Sequence, residues 1–230
     1  MDQATQISER RTSVDDIFDA LHSDIVTLQL KPGDRISEAE IAARFNVSRQ
    51  PVRDAFNRLS NLDLLLIRPQ RATEVRRFSM REIEKSRFVR AAVETEVLRR
   101  ASQHCSEADG HILDAEIGKQ RTALDAGDWE GFGQLDYSFH KTLCRVAKVD
   151  FAFDVIMEEK AKVDRLCILG LSKEQRIPDL IEDHLAIANA VKSHDAEGAV
   201  TAGLHHLSRL DQTIERISQT NANYFERSPT

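Results

Sequence analysis

The strongest constraint in this sequence is a pair of short helical segments joined by a tight turn. Ser37 followed three residues later by Glu40 is a capping-box signature at the start of an apolar helical run. Asn46 and Val47 then form a tight turn, and Ser48 can cap a further helix. Pro51 is tolerated in the first turn of that helix, because the amide there has no intrahelical partner. The pattern predicts a helix-turn-helix.

The segments on either side complete a small domain. Apolar residues at spacings of three and four within residues 14–30 predict an amphipathic helix before the motif. After the motif, residues 64–67 and 72–75 flank a polar tip at residues 68–71, which indicates a small β-hairpin wing. Residues 1–78 are therefore predicted to form a winged helix-turn-helix domain.

The sequence changes character after residue 78. Long amphipathic segments with short breaks predict helices at about 80–103, 107–126, 128–147, 151–170, 173–193 and 195–220. Short connections favour antiparallel packing of neighbouring helices. Residues 79–230 are predicted to form an antiparallel all-α helical bundle, and the fold class is mainly α.

The charge is distributed unevenly between these two parts. The chain has a net charge of -6, yet residues 1–78 hold 12 Lys and Arg against 12 Asp and Glu, while residues 79–230 hold 20 against 26. Residues 49–77 contain seven arginines against three acidic residues. Because Lys and Arg contacts to phosphate supply much of the affinity for DNA, this local surplus favours a nucleic-acid partner.

Several classes of protein do not fit the sequence. No uninterrupted apolar run approaches the roughly 20 residues of a membrane span, and the polar N-terminus does not resemble a secretory signal. The chain has three cysteines, Cys105, Cys144 and Cys167, and no two of them are close in sequence. They are expected to be reduced core residues, which favours a cytoplasmic protein without a membrane partner.

The start of the second helix of the motif carries the residues suited to DNA. Arg49 and Arg53 are one helical turn apart and share a face, opposite the apolar residues of the same segment. Arginine can bind guanine or phosphate through two hydrogen bonds, Gln50 can contact a base, and Ser48 can bind phosphate. For an isolated pair of arginines, a solvated basic surface would be the simpler interpretation, but the surrounding motif favours a recognition helix.

The strings PGDRISE at residues 32–38, IA at 41–42 and VSRQPVRDA at 47–55 resemble the winged-helix domain of GntR-family bacterial regulators. The family usually has glycine after the arginine at the wing tip, whereas this chain has Ala72, so the wing departs from the pattern there. The resemblance implies DNA contacts from Arg35, Ser48, Arg49, Gln50, Arg53 and Arg71.

The helical region contains residues suited to a metal. Asp136 and His140 are separated by one turn on a predicted helix and can contact one cation. His184 and His206 lie beside apolar residues on later helices, and antiparallel packing can bring them to the same place. Three imidazoles and one carboxylate suit a divalent transition metal, with zinc expected and nickel as an alternative.

The same residues, within LDYSFH at 135–140, DH at 183–184 and HL at 206–207, resemble the FCD domain of the FadR-like branch of that family. The resemblance implies a metal bound by these four residues at the floor of an effector pocket. His205 is the competing candidate for the metal ligand on the last helix. His206 is favoured because it directly precedes a leucine, as in the family pattern. Residues 147–150 (AKVD) depart from the family's usual Ala-Gly-Asn, so the bend there is expected to differ.

Two arginines are candidates for binding an effector. Arg90 falls in a helical row otherwise suited to burial, where it needs an anion. An ion pair with Glu94 and a contact with an effector carboxylate are both open interpretations. Arg165 is a second candidate. A cation together with arginine predicts an anionic effector, a small organic acid or sugar acid.

These features predict a repressor whose DNA affinity depends on a carboxylate metabolite. A homodimer on a palindromic double-stranded operator is expected, because two half-sites add their binding free energies. A metal-dependent hydrolase is the rival interpretation, but no His-Glu-x-x-His motif or nucleophile elbow is present. The third interpretation is a regulator whose metal is purely structural.

Overall fold

The computed structural model describes residues 2–68, 71–167 and 173–226, with the side chains of residues 2–12, 161, 164–165, 167, 173–175 and 212–213 left aside. The chain divides into two compact units. One is formed by residues up to Met80 together with the chain from Asn221 onward, and the other by Arg81–Thr220. Within the described residues, no helix has both the length and the apolar character needed to cross a bilayer.

The helices of the first unit follow the predicted motif. They are α1 (Asp2–Val26), α2 (Glu38–Phe45) and α3 (Arg49–Asn61). The predicted capping box is present at the start of α2, where the Ser37 hydroxyl accepts from the Glu40 amide and the Glu40 carboxylate accepts from the Ser37 amide. The turn between α2 and α3 begins at Asn46, whose φ of 52° is left-handed, a conformation that asparagine tolerates better than most residues.

The predicted wing is present within a three-stranded sheet. The strands are β1 (Arg35–Ile36), β2 (Leu65–Leu66) and β3 (Thr73–Val75), arranged in the order β1-β3-β2 with both pairs antiparallel. Strand β1 was not predicted from the sequence. The turn before β1 needs glycine at Gly33, since its φ is +93° and an added Cβ would meet the Arg77 guanidinium at 2.5 Å.

The end of the chain belongs to the first unit. After the last long helix, a 3₁₀ turn (Ala222–Tyr224) leads to Phe225, which is buried and forms a parallel bridge with Phe78. From the sequence, residues 79–230 were predicted to form the second domain. In the structure, Asn221–Glu226 instead belong to the N-terminal unit.

The second unit is a helical domain of α4 (Met80–His104), α5 (Glu107–Asp125), α6 (Trp129–Val146), α7 (Ala152–Cys167), α8 (Lys173–Lys192) and α9 (Ala196–Thr220). These bounds agree with the predicted helices within a few residues, and the predicted end of the fourth one at residue 170 lies outside the described residues. The helices share one apolar core, with α5 packed on α6 and α8, and α8 packed on α9. Buried polar side chains from α4, α6, α8 and α9 lie within this core and form the candidate metal centre.

Candidate metal centre and nucleic-acid interface

The predicted DNA-contacting residues of the helix-turn-helix lie together at the exposed N-terminal end of α3. Arg49, Gln50 and Arg53 are exposed, whereas the apolar residues on the opposite side of the helix are buried. Ser48 occupies the N-cap position, but its side chain makes no capping hydrogen bond. Its hydroxyl is therefore available for another acceptor or donor at the helix N-terminus, where anions are favoured.

Neighbouring acidic residues orient two of these side chains. Both oxygens of the Glu38 carboxylate accept from Arg53, at 3.1 Å from Nε and 3.0 Å from Nη2. This hydrogen bonding lowers the pKa of Glu38 and raises the pKa of Arg53. Gln50 donates to Asp54 at 3.0 Å. Arg49 forms no ion pair among the described residues, so its guanidinium is the more accessible of the two arginines.

The two remaining residues predicted to contact DNA lie on the sheet or directly before one of its strands. Arg35 is exposed on β1, and Arg71 is exposed just before β3. Pro69 and Gln70 at the wing tip lie outside the described residues, while Ala72 is exposed. Three other arginines of the basic stretch have acidic partners within the unit, in the pairs Arg58–Asp15, Arg76–Asp63 and Arg77–Glu74.

In the second unit, the four predicted metal ligands lie together. Asp136 and His140 from α6, His184 from α8 and His206 from α9 each offer a ligand atom, and these atoms lie within 4.8 Å of one another. All four side chains are buried. His205, the competing candidate, has a side chain 63% exposed, against 7% for His206. The geometry therefore places His206 in the cluster.

The imidazoles present unused nitrogen atoms. Nδ1 of His140 lies 3.2 Å from the Glu94 carboxylate, and Nδ1 of His184 lies 2.9 Å from Oε1 of Gln120. Nε2 of both histidines is buried without a hydrogen-bond partner. Because a buried polar atom without a partner is costly, these atoms are explained by a ligand that accepts their lone pairs. Histidine ligands of metals characteristically hold the other ring nitrogen in this way.

Asp136 is held as a carboxylate. Burial opposes its ionisation, but the ammonium of Lys160, 3.1 Å from Oδ2, is the largest of the charges that outweigh burial and lower the pKa of Asp136. Its other oxygen lies 3.4 Å from Nε2 of His184. Burial also lowers the pKa of His184 and, against the opposing effect of Asp183, that of His206. Neutral imidazoles and an ionised carboxylate are the protonation states that metal binding requires.

These donors fit a divalent transition metal. Three imidazole nitrogens and one carboxylate oxygen match the ligands that zinc takes, and nickel accepts the same types of donor. Asp183 lies 3.7 Å from Nδ1 of His206 and forms a bidentate pair with Arg209. Burial raises the pKa of Asp183, but His206 and Arg209 outweigh burial and lower this pKa to about 2. Three of the four candidate ligands, all except His206, therefore have a polar neighbour within 3.2 Å that orients them.

Arg90 lies beside this cluster. Its Nε donates to Glu94 at 2.8 Å, and both side chains are buried. The intraprotein ion pair is thus present, and Glu94 in turn contacts His140. Arg165 lies on α7, but its side chain is outside the described residues. A small cavity beside the cluster is lined by His140, His206 and Glu94 and otherwise by apolar side chains and Gly203.

Two orienting residues were missed from the sequence, Gln120 and Lys160. Gln120 follows the buried residues Leu113 and Ile117 on one face of α5, and Lys160 follows Ile156 on α7. Both residues could have been found from the sequence, because each is a polar residue in a helical row that is otherwise apolar. The same pattern indicated Arg90.

An exposed basic helix that follows a tight turn and lies beside a wing, together with a second, helical domain, defines the class of winged-helix DNA-binding regulators. Comparison with known families agrees with this class. Residues 13–75 match the bacterial regulatory proteins of the gntR family, and residues 86–209 match the FCD domain. The chain belongs to the GntR family of transcriptional regulators and carries an FCD domain.

Similar proteins support the same assignment. The chain is 34% identical to the HTH-type transcriptional repressor RspR of Escherichia coli K12 over 221 residues, which cover 96% of this chain and 97% of the relative. McbR/YncC of E. coli has a similar fold, with a TM-score of 0.64 at 19% identity over 90% of this chain and 98% of that one. A GntR transcriptional regulator of Rhodococcus sp. RHA1 gives a TM-score of 0.65 at 20% identity, over 89% and 98%.

The comparisons also decide between the predicted classes. The relatives and structural neighbours that match along the chain are transcriptional regulators. The prediction of a regulator rather than a metal-dependent hydrolase is therefore confirmed, as are the winged-helix and helical fold class and the resemblance to the FadR-like branch.

Proposed function

We propose that this chain is a cytoplasmic repressor whose affinity for a palindromic operator is controlled by a small carboxylate metabolite at a metal-containing site. The observation that carries the proposal is the buried cluster of Asp136, His140, His184 and His206, in which Nε2 of His140 and of His184 has no hydrogen-bond partner. Zinc is the expected metal. The named role of the 34% identical relative as a transcriptional repressor supports repression.

The charges around the cluster favour an anionic effector. The carboxylates of Asp136 and Glu94 are matched by the cations of Lys160 and Arg90, so these four buried or nearly buried groups balance one another. A divalent metal adds two positive charges to this balanced set. Because unbalanced buried charge is costly, the metal-loaded site favours a carboxylate ligand.

Arg90 is proposed to contact that carboxylate, with Arg165 as a second candidate. In the structure Arg90 is paired with Glu94, so an effector carboxylate would share or replace this partner. A small organic acid and a sugar acid both satisfy the charge requirement. The cavity between α4 and α9, which borders His140 and His206, is the proposed location of the effector.

A homodimer is proposed because one winged helix contacts too few bases for strong specificity. Two copies on a palindromic operator add the binding free energies of two half-sites. The predicted DNA contacts of each copy are Arg35, Ser48, Arg49, Gln50, Arg53 and Arg71.

The effector site is tested by thermal unfolding of the metal-stripped and zinc-loaded protein against a panel of carboxylic and sugar acids. A ligand of the native state raises the melting temperature by mass action. We expect zinc to raise it, and at least one acid to raise it further only when zinc is present. If zinc stabilises the protein but no acid binds with or without it, the metal is structural. If zinc has no effect, the proposed metal centre is wrong.

The DNA interface is tested with Arg49→Ala and Arg53→Ala in gel-shift titrations on a duplex selected by the wild-type protein. Loss of a bidentate base contact costs about 1–3 kcal/mol, or roughly 5- to 150-fold in affinity per site. Arg58→Ala is the matched control, because Arg58 is an exposed arginine of the same helix that pairs with Asp15. Unchanged affinity in both test variants would rule out the assigned recognition helix.

A further inference from the structure

The C-terminal segment Asn221–Glu226 is attached to the linker that follows wing strand β3. The backbone of Phe78 both donates and accepts, since its amide donates to the Tyr224 carbonyl and its carbonyl accepts from the Glu226 amide, each at 2.8 Å. The rings of Phe78 and Phe225 have centroids 5.6 Å apart, and both residues are less than 10% exposed. We call this arrangement the Phe78–Phe225 clasp.

Side chains next to the clasp extend the attachment. Arg77 donates from Nε to the carbonyl of Asn223 at 3.1 Å and also pairs with Glu74 of β3. Nε of Arg76 lies 3.9 Å from the Glu226 carboxylate. Three successive residues after β3 therefore contact the C-terminal segment.

The clasp acts next to the end of a very short strand. β3 contains three residues and its partners β1 and β2 contain two each. Val75 is also buried in the core of the unit, and it exchanges two hydrogen bonds with the turn before β1, because its amide donates to Asp34 and its carbonyl accepts from Gly33. The Arg76 amide donates to Leu64. Isolated pairing of strands this short is marginally stable, so contacts after the end of β3 add to those that hold Thr73–Val75 in the sheet.

We propose that the segment Asn221–Glu226 is a positioning element of the DNA-binding unit, which fixes the wing through the Phe78–Phe225 clasp. None of its residues needs to touch DNA. Removal of the clasp loosens β3, and the wing then loses conformational entropy when it binds DNA, which lowers affinity. The proposal goes beyond the effector-controlled repression proposed above and does not depend on the metal.

The test uses the full-length chain with Glu226→Pro and Phe225→Ala. Proline at residue 226 removes the amide that donates to Phe78, and the extended conformation of Phe225, with φ of -99° and ψ of 152°, is one that a residue before proline adopts. Glu226→Ala is the matched control, because it removes the carboxylate and keeps the amide. Phe225→Leu is the control that keeps an apolar side chain.

Two measurements are made on each variant: hydrogen exchange of the Val75, Arg76 and Phe78 amides, and affinity for a duplex that the wild-type protein selects from a random pool. We expect Glu226→Pro and Phe225→Ala to accelerate exchange about tenfold or more and to weaken duplex binding by about 5- to 20-fold. Both controls should remain within about twofold of wild type. Helical circular dichroism checks that α4 to α9 stay folded.

Each outcome decides the proposal. Faster exchange with unchanged duplex affinity would show that the segment packs on the unit without positioning the wing, and unchanged exchange in both variants would show that the clasp does not hold β3. Either result overturns the proposal. If Phe225→Ala does not fold, Glu226→Pro, which removes one hydrogen bond, decides alone. If the wild-type chain selects no duplex, the DNA-binding assignment fails, and unchanged exchange still overturns the clasp.

Discussion

In the DNA-binding unit, four of the six residues assigned to nucleic acid come from one stretch, residues 48–53, and their side chains lie at the surface. In the helical unit, the four candidate metal ligands span 71 residues, come from three helices and are buried. The first site is built by local structure on an apolar support. The second exists only when distant helices pack, so its geometry and the stability of the core depend on each other.

This difference predicts different consequences of mutation. Changes at the exposed arginines should alter DNA affinity and leave the melting temperature nearly constant, since surface substitutions usually change stability by less than about 0.5 kcal/mol. Changes at the metal centre should alter ligand affinity and stability together.

The largest effect is expected from His184→Ala. His184 is fully buried and its Nε2 has no partner, so the substitution removes a proposed ligand and leaves a cavity. We expect zinc affinity to fall by more than about 100-fold, beyond the usual cost of losing an outer-shell residue, with a lower melting temperature in the absence of metal. Calorimetric titration with zinc measures the first effect. His205→Ala is the control, because His205 is exposed and should bind no metal.

Gln120→Leu tests the orientation of a ligand rather than its presence. Oε1 of Gln120 lies 2.9 Å from Nδ1 of His184, and leucine removes this partner at similar volume. We expect zinc affinity to fall by about 10- to 100-fold, as for other residues that orient a metal ligand. The same substitution at the exposed Gln134 should have no effect. Equal affinity in the two variants would mean that His184 is oriented by packing alone.

Gly203→Ala separates packing from chemistry in the helical unit. A Cβ at Gly203 would collide with the Leu98 side chain, whereas a Cβ at Gly118 meets nothing within 4 Å. We expect Gly203→Ala to destabilise the fold by about 1–3 kcal/mol. Gly118→Ala should stabilise it by about 0.5–1 kcal/mol, because glycine inside a helix is unfavourable. Chemical denaturation measures both, and a stabilised Gly203→Ala protein would contradict the tight α4–α9 contact.

The smallest effect is the dependence of stability on pH without metal. Burial lowers the pKa of His184 and His206 in the folded protein, so below about pH 6.5 the unfolded chain takes up protons that the folded protein does not. Stability is therefore highest above that pH and falls as the pH decreases toward the folded pKa values, by at most about 1.4 kcal/mol per pH unit for each histidine. Denaturation curves at pH 7.5, 6.5 and 5.5 measure it. Greater stability at pH 5.5 would contradict the lowered pKa values.

The sequence predicted the elements with strong local signals. The capping box at Ser37 and the tight turn at Asn46 fix α2 and the start of α3 through contacts between residues a few positions apart. The periodicity of apolar residues predicted the helices of the second unit nearly to their ends. The cluster of metal ligands was reached by combining one local spacing, Asp136 with His140, with the resemblance to the FCD domain.

Features set by contacts between distant residues were not predicted. Strand β1 has two residues, and its pairing with β3 depends on the turn at Gly33 rather than on a strand pattern. The contacts of Lys160 with Asp136 and of Gln120 with His184 join different helices, and no sequence spacing reveals them. The clasp at Phe78 brings together residues almost 150 positions apart, which local periodicity cannot encode.

The same clasp has a consequence for synthesis of the protein on the ribosome. The first unit is discontinuous in sequence, because Phe225 reaches Phe78 only after the whole helical unit has been translated. At roughly 5–20 residues per second, the wing emerges about 7–30 s before its last partner is made. Nascent chains therefore expose an incomplete wing during elongation, and the N-terminal unit becomes complete only after residues 221–226 have been made.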